Sequence, residues 1–94
     1  MEVTWNQQAL DDLEAARRYI AADNPRASRR IFEMILAAAF RLPETPNIGR
    51  PGRIEGTREL VVPRTPFILA YTVRGDQVVI LDVLHGAREW PDTF

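Results

Sequence analysis

Apolar residues recur along this chain with two different periods, and the change of period divides it. Ala9, Leu13, Ala16 and Ile20 fall at i, i+4, i+7 and i+11, one face of a helix. Asn6 offers the short polar side chain of an N-cap just ahead of them. Asp11, Asp12 and Glu14 early in this segment, with Arg17 and Arg18 later, match the helix macrodipole. Asp23-Asn24-Pro25 ends the helix and opens a second one, with Asn24 as cap and Pro25 at the first helical position. Ala27, Ile31, Met34, Ile35, Ala38 and Leu42 form its apolar face. Two amphipathic helices joined by so short a turn predict an antiparallel hairpin.

The pattern changes at Pro43. Pro43 to Gly56 holds three prolines and three glycines with little periodicity, which predicts a loop crossing from helices to sheet. Arg58 to Val62 is rich in β-formers, and Pro63-Arg64-Thr65-Pro66 reads as a turn. Phe67, Leu69, Tyr71 and Val73 alternate with Ile68, Ala70, Thr72 and Arg74, the period of a strand. Gly75-Asp76 supplies a tight hairpin turn. Val78 to Leu84 is nearly all apolar and reads as the central strand, ended by His85-Gly86. Glu2 to Trp5 forms a short opening strand that joins the same sheet, with no pairing partner derivable. The expected architecture is α+β: strand, helix hairpin, then a three-strand antiparallel meander with the helices on one face.

Length and composition restrict what such a body does. Residues 1–94 make a single domain, because a second core would have too little surface to bury. The absence of cysteine removes disulfides and thiolate metal sites, and one histidine makes no transition-metal site alone. No metal or other cofactor is therefore expected. The apolar run Ile35 to Phe40 is far below the ~20 residues of a membrane span. Met1-Glu2-Val3-Thr4 has no signal-peptide character, so a cytoplasmic chain with no membrane partner is expected. The formal charge of −1 argues against general nucleic-acid coating and against direct sequence-specific DNA binding by this chain. All twelve basic residues are arginine, so every cationic contact is a guanidinium fork.

The order β-α-α-β-β-β within this length resembles the RelE/ParE superfamily of toxins. Trp5, Ala9, Asp12-Leu13 and Tyr19-Ile20-Ala21 are similar to the family's opening. Gly49-Arg50-Pro51-Gly52 and Gly56-Thr57-Arg58-Glu59-Leu60 resemble its loop and second strand. Pro66 to Tyr71 and Val83-Leu84-His85-Gly86-Ala87-Arg88-Glu89-Trp90-Pro91 resemble its last strands and tail. The resemblance implies the toxin of a type II toxin–antitoxin (plasmid stabilisation) module, held inactive by a cognate antitoxin.

It also implies two possible mechanisms. RelE-like members cleave mRNA in the ribosomal A site, whereas ParE-like members bind and stall DNA gyrase. Cleavage through the 2′-hydroxyl needs a base, cations for the phosphorane and an acid. RelE-like enzymes place lysines and arginines on the second, third and last strands, and a tyrosine near the end. Here the second-strand lysine positions fall at about Glu59 and Val61, and the third-strand arginine is replaced by Ile68. The tyrosine falls near Trp90, and only Arg88 persists.

That loss favours a gyrase-binding inhibitor over an enzyme. Arg50, Arg53, Arg58, His85, Arg88 and Trp90 are then the candidate target contacts. A ribosome-dependent endoribonuclease built on Arg50, Arg58, His85 and Arg88 is the alternative, with His85 as its base or acid. A third reading is an inactive member that acts only in repression. Each residue has an ordinary use as well. His85 can end a strand against backbone, Arg58 can pair with a carboxylate, Arg50 and Arg53 can be solvated, and Tyr71 can be core.

The implied antitoxin carries a segment that folds along the toxin, in the hairpin groove or on a sheet edge. Arg17, Arg18, Arg29 and Arg30 are expected to meet its acidic residues. Oligomers are expected mainly through that partner.

Overall fold

A computed structural model describes residues 1–86 of the chain. Strand β1 (Glu2–Trp5) leads into helix α1 (Gln7–Asp23), followed at once by α2 (Pro25–Arg41). Asn6 caps α1 by accepting from Ala9 N–H at 2.9 Å. Asn24 serves both helices: its N–H closes α1 on Ile20 O at 2.9 Å, and its side chain accepts from Ala27 N–H at 3.1 Å. With Pro25 next, one residue ends a helix and starts another, and the two run antiparallel. Ser28 Oγ then donates to Arg17 O at 2.8 Å, stitching the hairpin. The macrodipole expectation fails: neither end of α1 carries a complementary charge in its terminal turn. Its charges sit mid-helix, where Glu14 takes Arg17 and Arg18 as partners at 2.6 and 3.1 Å.

The sheet has five strands in the order β1-β5-β4-β3-β2, where β2 is Arg50–Pro51, β3 Arg58–Val61, β4 Phe67–Arg74 and β5 Gln77–His85. The predicted meander is present as β3-β4-β5, all antiparallel. Two strands extend it. β1 pairs in parallel with β5, Trp5 beside Ile80, and the two-residue β2 pairs Arg50 with Glu59 and Pro51 with Arg58. The loop expected from Pro43 to Gly56 therefore contains an edge strand too short to show periodicity. The middle strand is β4; the longer apolar run of β5 reflects cover by β4 on one edge and β1 on the other.

Strand alternation gives the sheet two faces. Toward the helices point Leu60, Phe67, Leu69, Tyr71, Val78, Ile80 and Val83, which meet Leu13, Ile35, Ala39 and Leu42 in the main core. Toward the outer face point Ile68, Ala70 and Leu84, a second small cluster. A bulge makes this assignment work: Ala70 pairs with Asp82 but Tyr71 pairs with Ile80, so Leu81 is the extra residue. Val83 N–H, just past the bulge, donates to Asp12 Oδ2 of α1 at 3.0 Å, tying helix to strand.

Candidate functional site

The loop between α2 and β3 carries Arg50 and Arg53 and is anchored at several points. Tyr71 is fully buried, and its hydroxyl donates to Pro46 O at 2.8 Å while accepting from Gly49 N–H at 2.9 Å. Burial pushes the phenol's ionisation above its usual value, against the opposing pull of Gly49 N–H and the Arg58 guanidinium. Glycine is required at 49, since a Cβ would stand 2.7 Å from the Tyr71 hydroxyl and 2.8 Å from its ring. Arg58 donates to the carbonyls of Asn47 and Gly49 at 3.2 and 2.7 Å. Its partners are thus loop carbonyls instead of a carboxylate.

Glu59 completes the anchorage from the other face. Only 5% exposed, it accepts from Arg53 N–H at 2.9 Å and from Arg50 Nε at 3.2 Å, with Arg50 Nη2 at 3.1 Å. Arg50 nevertheless keeps 56% of its side chain in solvent. Arg53 is exposed as well, and so is Ile48, at 59%. A stiff loop thereby displays one aliphatic side chain and two guanidinium groups. The alternation that marked Tyr71 as core did not disclose its hydroxyl's role. The available signal was the loop itself, because a segment this rich in proline and glycine holds one shape only if side chains tie it down.

His85 stands elsewhere. It ends β5 with its ring edge-on to Phe67, centroids 5.5 Å apart and planes at 82°. Its row on the sheet, paired with Phe67, lies four residues along β4 from Tyr71, the partner of Arg58. That is a separation of about 13 Å at ~3.3 Å per residue. Arg50 and Arg53 ride on the loop that Arg58 of β3 ties down, and His85 is not among them. Arg88 and Trp90 lie outside the described residues.

The outer face of the sheet holds the positions where the RelE resemblance puts catalytic cations. Glu59, Ala70 and Asp82 form one row across β3, β4 and β5; Val61, Ile68 and Leu84 form the next. Asp82 is 7% exposed and Ala70 fully buried. Of the described side chains in these two rows, both charged ones are carboxylates. Among the described residues, Arg50, on β2 opposite Glu59, is engaged by that carboxylate. A phosphodiester set over these rows would meet repulsion and aliphatic surface.

On the helices, Arg17 and Arg18 share Glu14, whose carboxyl is held down at about 2 mainly by its hydrogen bond from Arg17. The same contact raises the Arg17 guanidinium. Arg29 and Arg30 are exposed on α2. Leu13, Ile20, Ile31, Phe32 and Ile35 line the seam between the helices, which encloses essentially no space for even a water molecule. Among the described residues, no group of three or more acidic, histidine or cysteine side chains is placed to hold a metal, and no helix is long and apolar enough to cross a membrane.

A five-strand mixed sheet backed by a helix pair is the fold of the RelE/ParE superfamily of toxins. The comparisons agree with it. The family described as ParE toxin of type II toxin-antitoxin system, parDE, matches residues 3–90, and the chain belongs to that family. It is 42% identical over 92 residues to the candidate toxin Y4kP of Sinorhizobium fredii, covering 98% of this chain and 95% of that one. It is 36% identical over 87 residues to the toxin RelE2 of Caulobacter vibrioides, covering 93% and 97%. Among solved structures, a chain of the chromosomal ParDE system from P. aeruginosa superposes with a TM-score of 0.85 at 26% identity, covering 90% of this chain and 95% of that one. As a family member the chain is the toxin of a type II toxin–antitoxin pair, and a protein antitoxin is its partner.

Proposed function

We propose that this toxin acts by binding DNA gyrase rather than by cutting mRNA. The observation that carries this reading is the outer sheet face. Where a RelE-like nuclease needs cations and a proton donor, this chain has Glu59, Val61, Ile68, Ala70, Asp82 and Leu84. A carboxylate at 59 that is buried and already bonded to Arg50 and Arg53 cannot turn into a phosphate clamp without losing both. Binding without catalysis asks for something else: a rigid, exposed group of anchors, aromatic or arginine by preference. The loop with Ile48, Arg50 and Arg53 has that character, and its anchors cost little entropy to fix because Tyr71, Arg58 and Glu59 have already fixed the backbone. Arg50, Arg53 and Arg58 are assigned to the target contact, the first two directly and Arg58 by holding the loop; His85, Arg88 and Trp90 are assigned to its periphery. The antitoxin takes the helix hairpin, where Arg29 and Arg30 face solvent and Arg17 and Arg18 can exchange Glu14 for acidic residues of the partner.

The test is a supercoiling assay with purified gyrase, relaxed plasmid and the whole chain. Inhibition is expected, reversed by the antitoxin, and reduced about tenfold or more by the double substitution R50A/R53A. Undiminished supercoiling at toxin concentrations that arrest growth would remove gyrase as the target.

A further inference from the structure

The segment Pro63-Arg64-Thr65-Pro66 joins β3 to β4, and its geometry asks for a residue that the sequence does not supply. Thr65 N–H donates to Val62 O at 3.2 Å, closing a four-residue turn from Val62 to Thr65. Pro63, second in the turn, holds its φ at about −65°, and Arg64, third, stands at φ 63°. That combination is a type II turn, whose third position normally goes to glycine or asparagine, because a Cβ crowds the backbone there. Among the described residues, Arg64 is the one residue other than glycine at positive φ. Its neighbours hold it in place. Thr65 Oγ1 donates to Val62 O at 2.9 Å and accepts from Phe67 N–H at 3.1 Å. Val62 N–H donates to Phe67 O at 3.0 Å, and both of these side chains belong to the main core. Arg64 itself is exposed, so the core does not call for an arginine.

Backbone strain that well-bonded neighbours sustain is a mark of positions kept for contact, since folding alone would favour the unstrained residue. The turn also lies in line with the tethered loop. Arg50 opposes Glu59 of β3, and Val62, the first residue of the turn, follows three positions later, about 10 Å at ~3.3 Å per residue. Val61, between them, is 48% exposed. We propose that Arg64 is a further contact between the toxin and its target, continuing the cationic strip of Arg50 and Arg53 past the exposed Val61. The matching surface is an acidic patch on a protein, with a carboxylate for Arg64 set apart from those that meet the loop. A guanidinium suits that contact because its fork binds a carboxylate through two parallel hydrogen bonds. The fixed turn leaves little backbone freedom to lose on binding. This assignment rests on the reading in which the loop serves the target.

The test compares the full chain with R64G and R64N, two substitutions that suit a positive φ and remove the cation. Four quantities are read: the Tm, the induction level that arrests growth, inhibition of purified gyrase, and calorimetric affinity for the full-length antitoxin. Relief of strain should leave the Tm of both variants at the wild-type value or raise it by up to about 8 °C. Growth arrest and gyrase inhibition should each weaken about tenfold, with antitoxin affinity unchanged. Full potency in either variant overturns the proposal. So does a lower Tm in both, which would make Arg64 a residue of the fold, or an equal loss of antitoxin affinity, which would move it to the antitoxin's surface. If the wild-type chain arrests growth while gyrase continues to supercoil, the gyrase reading falls alone, and the growth comparison still decides the role of Arg64.

Discussion

Tyr71 shows how a single side chain joins packing to function. The ring belongs to the main core, while its hydroxyl reaches the loop that carries Arg50 and Arg53. In Y71F the ring stays and the Gly49 N–H loses its acceptor in a buried place, which costs about 1–3 kcal/mol. Urea denaturation should register that loss, and amide exchange at Gly49 should speed up by a similar factor. The same residue sets an alkaline limit. Its folded pKa lies above the ordinary value of 10.0, so below that value the phenol is neutral in both states and its contribution is fully present. As pH rises further the unfolded chain ionises first, and stability declines. Wild-type stability should fall above pH 10 with a component that Y71F lacks; identical alkaline slopes would refute it. Glu14 has the opposite sign. Its carboxyl is depressed from 4.5 to about 2, so its contribution is present above 4.5 and lost as pH drops toward 2. Because the Glu14 side chain keeps 42% of its surface in solvent, salt should largely erase the difference between wild type and E14Q in acid titrations.

At the scale of elements, the apolar periods located both helices and the three meander strands. They did so because each of these elements buries one face against another, and burial is what writes a period into sequence. What stayed hidden had no such imprint. β2 is two residues long with both exposed, and β1 is parallel to β5, a pairing set by the path of the helix hairpin, not by any residue in Glu2–Trp5. The bulge at Leu81 was hidden inside a nearly continuous apolar run. It matters for the candidate site, because it turns Asp82 outward beside Ala70 and places Val83 N–H within reach of Asp12. The loop arginines were legible as a group from composition. The anchors Tyr71, Arg58 and Glu59 were not, because their bonds cross between elements distant in sequence. Asp12 anchors α1 to β5 through one bond, and D12A should destabilise the chain by about 1–3 kcal/mol by stranding a buried donor. N24A should cost about 1 kcal/mol as a lost cap. Equal unfolding midpoints for D12A and the less buried D11A would contradict the first of these.

For the whole molecule, the distribution of charge decides between catalyst and docking body. The chain is near neutral, at −1, with both signs interleaved along the helices; the tethered loop exposes Arg50 and Arg53, and the described charged groups in the outer-face rows of β3 to β5 are Glu59 and Asp82. On the proposed function, such a body engages two partners over different surfaces, the loop serving the target and the helix hairpin the antitoxin. The charge reversal R29E/R30E should therefore weaken antitoxin binding by roughly tenfold or more while leaving toxicity in place, and R50A/R53A should do the reverse. Loss of both activities by either pair would mean a single shared surface. The most direct measurement is primer extension on mRNA-programmed ribosomes incubated with the whole chain, at a concentration that halts supercoiling in a parallel gyrase reaction. A gyrase-directed docking body predicts full-length transcripts with no new 5′ ends. Cuts within codons at the ribosomal A site would contradict it.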